Sequence, residues 1–102
     1  MFKLGDQINI EQLQAHNMAQ GYYFFSKSSM RFFKSRTCPE VFAAPDGWYF
    51  VSSEQFENDP RRYTVRIMRE NGQIDDLGGH DNFQKHASKR AAIAEIKSHL
   101  GV

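Results

Sequence analysis

The sequence predicts an α+β fold in two layers: a three-stranded antiparallel meander sheet packed by an N-terminal and a C-terminal helix, with a short extra helical segment before the sheet. Three observations predict it. A capped, glycine-terminated helical stretch runs from Ile8 to Gly21, period-two alternation flanks a turn at Asn71-Gly72, and an apolar stripe with helical spacing ends at Gly101. At 102 residues the chain is near the usual size of one domain, so residues 1–102 read as a single unit able to bury a core without disulfides or metals.

In the first helix Asn9 is placed to cap, Gln12 stands three positions later to complete a capping box, and Ile8 staples against Leu13 across the cap. Gly21 supplies the left-handed residue that ends it. The aromatic run Tyr22 to Phe25 is too short for a helix of its own and is expected to be a buried strand or extended segment. Ser26 to Arg36 is ambiguous. Ser26 or Ser29 can cap a short helix carrying Met30 and Phe33, whereas Met30 and Phe32 alternate as in a strand, and the helix is preferred.

Pro39 and then Pro45-Asp46-Gly47 punctuate the chain, the latter as a turn. Trp48 to Val51 and Tyr63 to Arg69 follow as strands, the second with Tyr63, Val65 and Ile67 on one face. A two-residue loop at Asn71-Gly72 would mix core with solvent. A three-residue loop with Gly72 in a left-handed bulge instead pairs Val65 with Leu77 and Met68 with Ile74. Gly78-Gly79 closes the third strand, and from about Ala87 the stripe Ala92, Ile93, Ile96, Leu100 forms the last helix, with Ser88 as cap and Gly101 as stop.

Composition bounds the function. The net charge is only +1, so the whole-molecule field neither steers DNA nor imitates it. Cys38 is the only cysteine, which excludes an internal disulfide and suits a reducing, cytoplasmic setting. The first ten residues hold no signal-peptide core, and no run approaches the roughly 20 apolar residues of a spanning helix, so no membrane partner is expected.

Chemistry is sparse. His16, His80, His86 and His99 lack metal-ligand spacing, so no metal or cofactor is expected. His80 beside Asp81 lacks a spaced nucleophile or oxyanion motif, Asp75 and Asp76 point to opposite faces of a strand, and nothing near Cys38 activates its thiol. The expectation is a non-enzymatic protein with no catalytic residues.

The charges, by contrast, come in blocks: Lys27, Arg31, Lys34 and Arg36, then Glu54, Glu57 and Asp59, then Arg61, Arg62, Arg66 and Arg69. Planar guanidinium groups suit phosphate or carboxylate recognition. Arg61, Arg62, Arg66, Arg69, Arg31, Lys34 and Arg36 are therefore the expected partner-binding set. The plainer alternative is a solvated sheet face with ordinary ion pairs to Glu70 or Asp75.

The blocks Tyr23-Phe24-Phe25, Ser29-Met30-Arg31-Phe32-Phe33, Tyr49-Phe50-Val51-Ser52-Ser53-Glu54 and Arg61-Arg62-Tyr63-Thr64-Val65-Arg66 together resemble a family of small uncharacterised bacteriophage and mobile-element proteins. That resemblance implies a context of host-defence inhibition, anti-CRISPR proteins included, with a host protein or ribonucleoprotein complex as partner. The element order is also similar to a double-stranded-RNA-binding domain, whose last helix opens with clustered cations as Ser88-Lys89-Arg90-Ala91-Ala92 does here. The chain departs from that pattern at Ile93, where a further cation belongs, and in the inserted segment Tyr22 to Arg36. A sheet followed by a helix is similar as well to integrase-type arm domains, which read DNA with arginines on the sheet. Both imply nucleic acid as the alternative partner, bound by Arg66, Arg69, Lys89 and Arg90.

Overall fold

The computed structural model describes residues 2–102, apart from the side chains of His80 and Asp81. Among the described residues the chain forms α1 (Ile10–Ala19), α2 (Lys27–Phe32), β1 (Arg36–Ala44), β2 (Gly47–Glu54), β3 (Arg62–Met68), β4 (Ile74–Asp76), a 3-10 turn (Gly79–Asn82) and α3 (Lys89–Leu100). The strands make one antiparallel sheet in the order β1-β2-β3-β4.

The local signals act as their chemistry requires. Asn9 caps α1 in a reciprocal capping box with Gln12, and Gly21 takes φ +90° just past the helix end. Ser26 caps α2 and Ser88 caps α3, each accepting from a backbone N–H three residues on. Gly101 closes α3 in the left-handed conformation. At the β3–β4 hairpin Arg69 N–H donates to the Gln73 carbonyl at 2.7 Å and Gly72 sits at φ +90°, so Met68 faces Ile74 and Leu77 N–H reaches the Val65 carbonyl. This is the expected three-residue loop and register.

Three expectations need correction. The sheet has a fourth strand, β1, because Pro39 does not break it: β1 is an outer strand, and Pro39 falls where its register against β2 shifts between Thr37 and Val41. Tyr22 to Phe25 is not a strand; it is an irregular turn in which Tyr22 and Tyr23 are exposed and only Phe24 and Phe25 are half-buried. The arrangement is also not two-layered, since helices cover opposite faces of the sheet.

On one face α3 lays Ala92 and Ile96 against Tyr49, Val51, Val65 and Ile67. On the other, Ile8, Ile10 and Leu13 of the α1 region bury Trp48, Phe50 and Met68, with Phe24 and Phe25 packed alongside. Each large ring so buried removes about 150–250 Å² from water, about 4–6 kcal/mol of gross apolar stabilisation. The unbroken apolar run Trp48 to Val51 follows from this, because a strand covered on both faces has no solvent side.

One core group reports on pH. Tyr49 is buried, donates its hydroxyl to Asp46 Oδ2 at 2.9 Å and lies 3.1 Å from His99 Nε2. Loss of water around the ring, then the Asp46 carboxylate, push its pKa up to about 12 from 10.0. An unfolded chain therefore loses this proton first as pH rises, so the folded state keeps its full stability below pH 10 and loses it progressively toward about pH 12. Chemical denaturation across that window should show a fall on the order of 2–3 kcal/mol for the wild type, and Y49F should flatten most of it.

Candidate functional site

Lys89 and the four arginines of the β3 region are held by the fold. Arg61 donates to the Ser53 carbonyl and hydroxyl at 3.2 and 2.9 Å. Arg62 donates through Nε to the Gln84 carbonyl at 2.9 Å and through Nη2 to the Lys85 carbonyl at 2.7 Å, anchoring the segment before α3. Arg69 pairs with Asp75 at 3.2 Å and Asp46 at 3.7 Å. Lys89 pairs with Glu40 of β1 at 3.0 Å, which holds the Glu40 carboxyl below its ordinary range and the Lys89 ammonium above it. Arg90 stays exposed at the start of α3.

Arg66 is far more enclosed than Arg69 or Lys89. It stands on the α1 side of β3, and its side chain is only 12 % exposed. Its Nε donates to Ser52 Oγ at 2.9 Å, Nη1 to Asp76, and Nη2 approaches Glu54 Oε2 at 3.4 Å. Glu54 in turn is fully buried, accepting from Ser52 Oγ at 2.6 Å and Thr64 Oγ1 at 2.8 Å. Rings flank the guanidinium, with the Phe24 centroid at 5.0 Å and that of Phe83 at 5.7 Å. The expected open arginine flank on β3 is thus absent: Arg66 and Arg69 serve opposite faces of the sheet, and acids or carbonyls occupy all four. The alternation along β3 separated Val65 and Ile67 from Arg66 correctly, but the second face is covered instead of solvated.

The cations of α2 and of the residues just after it fare differently. Arg31, Lys34 and Arg36, with Lys27, are exposed, and among the described residues none is in an ion pair. Rings accompany them: Tyr23 and Phe32 are each 77 % exposed, and Phe56 half so. Phe32 packs edge-on to Phe33 at 4.5 Å, and Phe33 meets Phe56 at 5.9 Å, so these three phenylalanines form one cluster. Lys34 holds φ +48° while its N–H and that of Ser35 donate to the Arg31 and Met30 carbonyls at 3.1 and 2.6 Å. This helix-ending loop normally employs glycine, and a lysine there costs on the order of 1 kcal/mol. Gln55 N–H donates to the Phe33 carbonyl at 2.8 Å and ties the strained end of α2 to the end of β2.

Between this segment and β3 lies a cleft of about 590 Å³, walled by Tyr22, Tyr23, Phe24, Met30, Phe33 and Phe83 with Glu54 and Arg66 at its floor. Asn17 of α1, fully buried, also lines it, and among the described residues its Oδ1 has no hydrogen-bond partner. Sequence reasoning missed this cleft. Its one legible sign was the polar set Ser52 and Glu54 of β2 with Thr64 and Arg66 of β3 on one face of the sheet, which requires a covered, paired network once the adjoining rings are recognised as a roof.

The histidines are dispersed. His16 Nε2 meets the Glu70 carbonyl at 2.8 Å, His86 meets Glu95 at 2.7 Å, and His99 sits by Tyr49. The side chains of the His80–Asp81 pair lie outside the described residues. Among the described residues no group of three or more His, Cys, Asp or Glu is gathered for a metal, and no helix is long and apolar enough to cross a membrane. Burial pushes the Cys38 thiol up, against the direction that would activate it.

No curated protein matches the chain, and no solved structure does. A family match is present, covering residues 9–97 from the cap of α1 nearly to the end of α3: the chain belongs to the family of unknown function DUF7447.

Proposed function

We propose that this is a non-enzymatic binding protein that engages the acidic face of a protein partner through the surface of α2. The observation that carries the reading is that Arg31, Lys34 and Arg36 remain exposed and unpaired, among the described residues, beside Tyr23, Phe32 and Phe56. Arginine and large aromatic residues dominate interface hot spots, and free cations add steering toward an acidic surface. A contiguous exposed apolar patch on a small domain is itself a mark of an interface. The reading as an inhibitor of a host macromolecular machine draws on the resemblance of the Tyr23–Phe25, Ser29–Phe33, Tyr49–Glu54 and Arg61–Arg66 blocks to small bacteriophage and mobile-element proteins.

The expected result is that R31E/K34E/R36E abolishes partner capture in affinity purification from cells of the source organism, while its melting temperature stays within a few degrees of wild type. Unchanged capture by the triple variant discards this surface. Nucleic acid is the second reading, favoured by the same unpaired cations with Arg90. Tight binding of short duplex DNA or RNA at low salt, weakening steeply as salt rises through counterion release, would select it over the first.

A further inference from the structure

We propose that the cleft between the Tyr22–Phe33 segment and β3 is a binding site for a small planar organic cation carrying N–H donors, of the amidinium or guanidinium class. The site is separate from the α2 cations, none of which lines it. Its volume of about 590 Å³ is in the range of small-molecule pockets.

Three features define the ligand's chemistry. The first is charge. At the floor Arg66 stands beside the Glu54 carboxylate and is also paired with Asp76, which lies outside the cleft lining; its Nε, Nη1 and Nη2 already serve Ser52, Asp76 and Glu54, so two carboxylates outnumber one guanidinium. An entering anion meets an excess of negative charge in a poorly solvated floor, whereas a cation meets attraction. The second is the walls. Phe24 and Phe83 already flank one planar cation, Arg66, and Tyr22, Tyr23 and Phe33 offer further rings to a second.

The third is Asn17. Its Nδ2 is fixed on the Gly72 carbonyl at 2.7 Å, so the amide cannot turn to present its donor, and Oδ1 is left, among the described residues, as an unpartnered acceptor in a fully buried residue lining the cleft. A buried acceptor without a partner is costly, and a ligand N–H that reached it from the cleft would relieve that cost. Negative floor, aromatic walls and a lone acceptor converge on a flat, positively charged donor.

The test is a titration of isotope-labelled protein with benzamidine, and in parallel with benzamide and benzoate, which share its shape but are neutral and anionic. Benzamidine should shift the amide resonances of Asn17, Tyr22, Tyr23 and Phe33 with millimolar affinity or better, benzamide more weakly, and benzoate not at all. D76N removes the carboxylate that pairs with Arg66 from outside the cleft and should lower benzamidine affinity about tenfold while admitting benzoate. Y23A, at an exposed wall position, should lower it about threefold with the fold intact. A blocked arginine peptide separates the two sources of the cation: tighter binding than benzamidine assigns the site to a guanidinium carried by a protein, weaker binding to a free molecule. Absence of cleft shifts with benzamidine, or benzoate binding as well as benzamidine to the wild type, overturns the proposal.

Discussion

Replacing Arg66 with methionine should destabilise the protein by about 3–5 kcal/mol, the cost of leaving one member of a buried ion pair without the other. Glu54 is fully buried, and with Arg66 gone the donors to its carboxylate among the described residues are Ser52 and Thr64. The Asp76 carboxylate, 17 % exposed, loses its partner too. Methionine keeps much of the stem that packs between Phe24 and Phe83, so the loss isolates charge pairing from packing. Urea denaturation of R66M measures it. The double variant E54M/R66M should recover part of the loss, because it removes the fully buried stranded charge and leaves only the part-exposed Asp76 without its partner. A loss under about 1 kcal/mol in R66M would mean that the network is solvated and worth no more than a surface pair.

Replacing Gly47 with alanine should cost about 3 kcal/mol, through two separate penalties. Gly47 opens β2 at φ +151°, a conformation that side-chain-bearing residues rarely adopt. A Cβ there would also run into the Met68 carbonyl oxygen and stand 2.9 Å from Ile67 Cγ1, forcing β3 away from β2 at the head of the sheet. Thermal unfolding of G47A reads the sum. Gly79, whose added Cβ would meet nothing within 4 Å, is the control: G79A should lose only the smaller backbone penalty of its φ of +77°.

These two positions show how far the letters reach. Gly47 was legible as a turn from Pro45-Asp46-Gly47, and the caps of α1 and α3 and the β3–β4 register were legible because each is decided within a few residues. Arg66 was legible only in part. Its strand and face follow from alternation, but its neighbours are set by pairings from residues far along the chain: Phe50 lies across from it on β2, Asp76 on β4, and Phe24 packs from before the sheet. The same distance hid β1, whose Pro39 reads as a break until an outer position in the sheet excuses its missing N–H. It likewise hid the role of Trp48 and Phe50, whose face is covered by a helix some 40 positions earlier in sequence.

Pro39 has one more consequence. Sheets grow by accepting a further strand along an outer rim, and an additional chain arriving at β1 would meet a missing donor at Pro39 and a broken register from Thr37 to Val41. The other rim, β4, is three residues long. Neither side gives a stacking chain a continuous ladder, so the molecule can display aromatic residues around α2 without its sheet seeding fibrils.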